Sequence, residues 1–183
     1  MTVIKSNSVD GIVNSPPYST AIDYIGNDYP QLVLLGLVDS FEELEADMMG
    51  NPRVNFDRKE IQKMIDGDTE NPIEGSEIAM KFVKLLLDND RADVAHRTFK
   101  FFSDMFFTLK EMHRVLKKGA KSAIVIGNNH YKINEHYKEI PNDEVLLEMA
   151  KDIGFKEDLL IKRDLHKTQV GNIRRETILF LQK

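Results

Sequence analysis

The sequence predicts an α/β domain with about four core strands. Short apolar runs alternate with longer amphipathic helical patterns, the arrangement that builds a sheet covered by helices. The first run, Val9-Asp10-Gly11-Ile12-Val13, stops at Asn14-Ser15-Pro16-Pro17-Tyr18. Two successive prolines each fix φ at roughly −65° and remove two backbone donors, so a strand cannot continue through them. The residue before each proline is held extended, which gives Ser15 and the nearby carbonyls a fixed orientation. In open α/β sheets, ligands bind at the carboxyl ends of the strands.

Taken in order, residues 1–8 are polar, with Val3-Ile4 as their one apolar pair. Residues 19–30 mix Gly, Asn, Asp and aromatics, which predicts a loop or short helix over the end of the first strand. Residues 31–41 contain Leu32-Val33-Leu34-Leu35 and Leu37-Val38, compatible with a buried helix in which Gly36 is a mild cost; periodicity alone does not decide it. Residues 40–75 are more polar and read as a helical insertion, with short helices over 42–49 and 57–66. Residues 76–87 put Ile78, Phe82, Leu85 and Leu86 on one helical face. A longer helix over 92–116 repeats Phe99, Phe102, Phe106, Leu109 and Met112 at three- and four-residue spacing, a buried stripe. Gly119, after Lys117 and Lys118, reads as the glycine that ends this helix. The remaining elements are a strand over 122–126, a helix over 142–153 capped at Ile140-Pro141-Asn142, and strands over 156–162 and 177–181. A basic loop containing His166, Lys167, Arg174 and Arg175 joins the last two strands.

Composition narrows the class. At 183 residues the chain is read as one domain, 1–183, large enough for a real core. Its 42 % hydrophobic and 30 % charged residues are those of an ordinary soluble protein. It has no cysteine, so disulfides and thiolate metal sites are excluded. No stretch has the length and apolarity of a membrane span, no signal-peptide pattern stands at the amino terminus, and a cytoplasmic location is expected. His96, His113, His130, His136 and His166 lack metal-ligand spacing, so no metal is expected. The formal charge of −5 argues against tight autonomous binding to nucleic acid, whose phosphates are met by Lys and Arg; a local basic patch or a partner would have to supply that surface.

Ser15-Pro16-Pro17-Tyr18 resembles the signature of the amino-group DNA methyltransferases, which transfer a methyl group from S-adenosylmethionine to exocyclic nitrogens. The Ser-Pro-Pro-Tyr form is most similar to members that methylate N4 of cytosine. The likeness continues through Ala21-Ile22-Asp23-Tyr24, Arg114-Val115-Leu116-Lys117-Lys118-Gly119, Ile140-Pro141-Asn142-Asp143, Gly154-Phe155 and Arg175-Glu176. Lys118 stands where that family commonly has proline, and Ala120 where it has a second glycine.

The resemblance implies a partial Rossmann-like methyltransferase fold. Ser15 and the Pro16 carbonyl would accept hydrogen bonds from the amino group, and Tyr18 would stack on the base. Asn14, Pro17, Asp23, Asn128 and Asn129 are candidates to line the base pocket. Arg163, His166, Lys167, Arg174 and Arg175 are candidates to meet nucleic acid; Lys162, Arg53, Arg58, Lys59 and Lys63 are further basic positions. DNA is the expected partner, with RNA as the alternative. The family also carries a glycine-rich turn that cradles the cofactor, and the glycines here are isolated. The chain is therefore expected to be the target-base half, with the cofactor-binding half missing and supplied by a separate polypeptide or a homodimer. The first strand would then carry an unpaired edge. A catalytically inactive remnant serving as a binding or structural module is the competing reading.

Each residue also has a plainer role. Ser15 to Tyr18 can be a proline-rich turn with a packed tyrosine, and Asn14 and Asp23 can be capping or surface residues. Asn128 and Asn129 can be turn residues, and the basic positions can be solvated surface.

Overall fold

The structure, a computed structural model, describes residues 3–17, 24–40, 49, 57–133, 135–164 and 175–183. Its elements are β1 (Val9–Asn14), α1 (Tyr24–Leu34), α2 (Arg58–Asp66), α3 (Glu77–Leu87) and α4 (Ala92–Val115). There follow β2 (Leu116–Gly127), β3 (Asn129–Ile133), β4 (His136–Ile140), α5 (Asn142–Ile153), β5 (Lys156–Asp164) and β6 (Arg175–Gln182). The architecture is α/β, with a four-stranded sheet in the order β1-β2-β6-β5 and a separate β3-β4 hairpin.

β1 and β2 are parallel, with Asn14 opposite Ile124, while β6 runs antiparallel to both β2 and β5. This pairing has a positional consequence. The carboxyl ends of β1, β2 and β5 and the start of β6 all lie at one end of the sheet. β1 is an edge strand among the described residues, as expected of a strand with no further partner.

Side-chain alternation divides the sheet into two unlike faces. Ile124, Ile126, Leu179 and Leu181 are buried on the helix side, where α5 lies against β2, β5 and β6 and α3 packs on α4. On the other face, paired positions form two apolar rows: Val13, Ala123, Phe180 and Leu159, then Val125, Ile178 and Ile161. Val13 is 84 % exposed and Leu159 and Ile161 are also exposed, so the described residues leave this face largely open. Sheets containing parallel strands ordinarily have both faces covered.

The helix layer follows from the sequence stripe. Phe99, Phe102, Leu109 and Met112 of α4 are buried, joined by Phe101 and Met105. Ser76 caps α3 by accepting from the Ala79 amide, and its hydroxyl donates to Glu148 on α5 at 2.6 Å. In α3 the deepest side chains are Ala79, Val83 and Leu86; Ile78, Phe82 and Leu85 pack at the margin, so the buried stripe is turned from the expected one.

α2, capped by Asp57 and ended by Gly67 at φ +83°, adds Ile61 and Ile65 to the core. It is also tied to α4 through Gln62 and the buried His96 Nε2, 2.7 Å apart. Burial holds the His96 pKa below its ordinary value, helped by the Arg58 charge and opposed by Asp93 and Asp66. A lowered folded pKa means that the unfolded chain binds the proton more readily. This contribution is thus full above the ordinary histidine value, about 6.5, and is lost as pH falls through the folded value. Urea titrations at pH 7.5 and 5.5 are expected to show lower stability at the acid end, and His96→Gln is expected to lessen that drop.

Two local expectations are corrected. The apolar segment after Pro30 is not a buried helix: α1 begins at Tyr24, and Val33, Leu34, Leu35 and Leu37 are exposed. Gly119 does not end α4, which stops at Val115 with Leu116 already extended. Gly119 instead sits inside β2 at φ +78°, and its amide donates to the Lys183 carbonyl. The cap position of α5 is Pro141, within the expected Ile140-Pro141-Asn142, and no side chain caps the helix there. Residues 129–140, to which the sequence pattern assigns no element, form the β3-β4 hairpin. The expected helix over 42–49 lies, apart from Met49, outside the described residues.

Candidate functional site

The site is built at the end of the sheet where β1 and β2 both terminate. β1 closes with Asn14, and the prolines then carry the chain out of the ladder, leaving Ser15 exposed, Pro16 buried and Pro17 half-buried. Asn14 faces the helix layer: its amide nitrogen lies 3.9 Å from the Met112 sulfur, and its buried Oδ1 has no partner among the described residues. Tyr18 and Asp23 lie outside the described residues.

β2 runs past the paired end of β1 to Gly127, and Asn128 and Asn129 follow, both buried. They fasten the start of α5 to the end of β2. The Asn142 amide donates to the Gly127 carbonyl at 2.8 Å and to Asn129 Oδ1 at 2.6 Å. The Asp143 backbone amide donates to Asn128 Oδ1 at 3.2 Å, and Asn128 donates in turn to Glu139 at 2.7 Å. Glu139 also lies 3.1 Å from His130 Nε2.

Asp143 is the anionic centre of this network, with a side chain only 1 % exposed. Thr177 Oγ1 donates to it at 2.7 Å, the Glu144 amide at 3.0 Å, and Lys162 Nζ stands 3.4 Å away. Burial pushes the Asp143 carboxyl upward, but hydrogen bonds from Thr177 and Asn128, the Lys162 charge and the Glu144 amide together hold it below the ordinary value. The carboxylate is therefore ionised at neutral pH. Reading the sequence alone assigns no role to Asn142, Asp143 or Thr177 at this end. A polar pair at the first turn of a helix is their only advance signal.

The basic candidates divide. Arg163 donates to Glu176 from Nε at 3.0 Å, and Arg175 donates to Asp164 at 3.0 Å. Both cations are at the same end of the sheet as Ser15, each already facing a carboxylate. His166, Lys167, Arg174 and Arg53 lie outside the described residues. Arg58, Lys59 and Lys63 belong to α2 and its surroundings, and Arg58 pairs with Asp93 at 2.6 Å.

Two open clefts of about 480 and 520 Å³ lie in the helix layer, one lined by Asp66, Glu77, Lys81 and Lys84, the other by Phe106, Phe107, Lys110 and Asp152. Neither includes a residue from the ends of β1 or β2. Among the described residues, those ends carry two prolines and three asparagines and no glycine-rich turn. No group of three or more His, Asp or Glu side chains suited to a metal occurs among the described residues.

The chain has a general similarity to DNA-modification methyltransferases. It is 25 % identical over 180 residues to the type II methyltransferase M.BsoBI of Geobacillus stearothermophilus, an alignment covering 84 % of this chain and 32 % of that enzyme. It thus spans about a third of the length of that curated relative. Among solved structures, TTHA0409 of Thermus thermophilus, assigned as a DNA modification methylase and crystallised with S-adenosyl-L-methionine, aligns at 16 % identity. That alignment has a TM-score of 0.45 and covers 99 % of this chain and 50 % of the other. A further crystal structure of TTHA0409 aligns at 14 % identity, with a TM-score of 0.45 and coverage of 99 % and 48 %. No family model matches the chain.

Proposed function

We propose that this chain is the base-binding part of an S-adenosylmethionine-dependent DNA methyltransferase that acts on an exocyclic amino group, cytosine N4 in the first instance. The observation that carries the reading is Ser15-Pro16-Pro17, held at the carboxyl end of β1 beside the end of its parallel neighbour β2. The similarity to M.BsoBI points in the same direction.

Amino nitrogens on a base are weak nucleophiles because the lone pair is delocalised into the ring. Ser15 Oγ and the Pro16 carbonyl are acceptors that can hold the two amino hydrogens and fix the direction of the nitrogen lone pair. The prolines make those acceptors rigid, so the gain is one of orientation rather than of proton transfer. Tyr18 stacks on the base, which must leave the duplex at a cost of a few kcal/mol. S-adenosylmethionine would supply the methyl group, held on a surface that this chain would share with a partner, either a separate cofactor-binding polypeptide or a second copy. The edge position of β1 and the open apolar face beside it support such a partner.

The test has two stages. Calorimetric titration of the isolated chain with S-adenosylmethionine is expected to give no heat of binding. Co-expression with the polypeptide from an adjoining reading frame, followed by mass spectrometry of nucleosides, is expected to give N4-methylcytosine. Ser15→Ala is expected to reduce that yield roughly 100-fold, the scale of losing one oriented hydrogen-bonding group in a transition state. Micromolar cofactor binding by the chain alone would overturn the need for a separate polypeptide and leave a second copy or an undivided site, which the oligomeric state separates, and full transfer by Ser15→Ala would overturn the role of Ser15.

The acidic balance and the commitment of Asn128 and Asn129 to fastening α5 favour a second reading, a remnant retained as a binding module. Nucleosides without added methyl groups in every combination would select it.

A further inference from the structure

The β3-β4 hairpin presents a pair of unlike side chains on its outer face. In-register partners share a face, and the pairs are His130 with Glu139, Tyr131 with Lys138, Lys132 with Tyr137, and Ile133 with His136. Tyr131 packs against the core and Ile133 is buried, so their face is the inner one. Lys132 and Tyr137 therefore point outward together, and Tyr137 is 72 % exposed. Among the described residues neither side chain has a hydrogen bond or ion pair.

The surroundings sharpen the pattern. Behind Lys132, the Arg91 guanidinium donates to its carbonyl at 2.9 Å and brings a second cation to the ribbon. Two carboxylates share the hairpin. Glu139 is held at the base by Asn128 and His130, and Glu135 stands at the turn with φ +66°. The hairpin leaves the carboxyl end of β2 and therefore stands at the same end of the sheet as Ser15.

We propose that this hairpin is a nucleic-acid contact, in which Tyr137 stacks on an unpaired base and Lys132, backed by Arg91, meets the neighbouring phosphate. Directly opposed residues of an antiparallel pair have Cβ atoms about 4.5–5.5 Å apart, which sets a cation beside the edge of an aromatic ring. A base and its own phosphate offer the matching arrangement of a flat ring next to an anion. Stacking tolerates any base because every base has a π-face, so the contact holds a strand without reading its sequence. The proposal rests on the base-binding reading of the β1 end and deepens it, since a base drawn from the duplex leaves unpaired neighbours for such a platform.

The probe is a short fluorescein-labelled single-stranded oligodeoxynucleotide of mixed sequence, titrated with the full chain and followed by fluorescence anisotropy. Tyr137→Ala is expected to weaken binding roughly tenfold, within the range of one lost stack, while Tyr137→Phe keeps the wild-type affinity. Lys132→Gln is expected to lower the slope of log affinity against log salt by about 0.7, the contribution of one phosphate on a single strand. Both positions are exposed, and circular dichroism of each variant checks that the fold is kept. Absence of oligonucleotide binding by the wild type, or equal binding by Tyr137→Ala and Lys132→Gln, overturns the proposal. A Tyr137→Phe variant as weak as Tyr137→Ala overturns the stacking role. Methyl transfer is read separately. Binding through Tyr137 without transfer keeps the hairpin and removes the base-site reading. Transfer with indifferent hairpin variants does the reverse.

Discussion

Asp143→Ala is expected to lower the unfolding free energy by about 2–4 kcal/mol at neutral pH, the cost of leaving several buried donors without their charged acceptor. The carboxylate accepts from the Thr177 hydroxyl and the Glu144 amide and faces Lys162. Alanine leaves the Thr177 hydroxyl with no obvious new partner in a buried position. The loss should also vary with pH. Because the folded pKa of Asp143 lies below its ordinary value, the unfolded chain binds that proton more readily. The contribution is thus present above about pH 4, the ordinary carboxyl range, and is lost as pH falls through the folded value. Urea titrations of wild type and variant at pH 7 and pH 3 should therefore converge at the acid end. A gap that stays the same at both values would place the stabilisation in packing rather than in the charge.

The same substitution bears on the site. The Asn142 side chain and the Asp143 backbone amide fasten the first turn of α5 to Gly127, Asn128 and Asn129, and the Asp143 carboxylate ties the same turn to Thr177 on β6. A loosened α5 start is expected to show as faster amide exchange at residues 127–129, the segment from which the hairpin also departs.

Phe102→Ala is expected to cost about 3–5 kcal/mol, the usual loss on removing a fully enclosed aromatic ring. Phe102 is fully buried in α4 and meets the Phe101 ring at a centroid distance of 5.4 Å with the planes tilted by 55°. In a chain of this size the loss corresponds to a fall in melting temperature of roughly 6–20 °C. Phe107, on the same helix but 53 % exposed, is the internal control. Phe107→Ala is expected to cost about 1 kcal/mol or less, because much of its ring already meets water. Equal losses at the two positions would mean that α4 does not present the stripe seen here. Calorimetric scans of both variants make the comparison.

The sequence by itself determined the elements whose pattern is local. Residues 142–153 read as a helix and form one with the same bounds, α5, because an apolar face and a glycine stop lie within a few turns of each other. The stripe of α4 and the double-proline end of β1 are legible for the same reason, since spacing and ring geometry act between near neighbours. The hairpin, over a stretch to which no element is assigned, has a local signal too: His130-Tyr131-Lys132 and His136-Tyr137-Lys138 flank Asn134-Glu135 with an alternating pattern.

Tertiary structure decided the rest. Gly119 resembles a helix stop, yet pairing of β2 with the chain terminus draws the backbone into a strand, and a long-range hydrogen bond to Lys183 outweighs a local signal. Asn142 opens α5 as expected, yet only the fold brings the Gly127 carbonyl and Asn129 to its amide. The open face of the sheet is a property of strand order: Val13, Ala123, Phe180 and Leu159 stand in one row although they are scattered along the chain. Whether an apolar residue is core or surface depends on what packs across from it, and no spacing within a single strand carries that information.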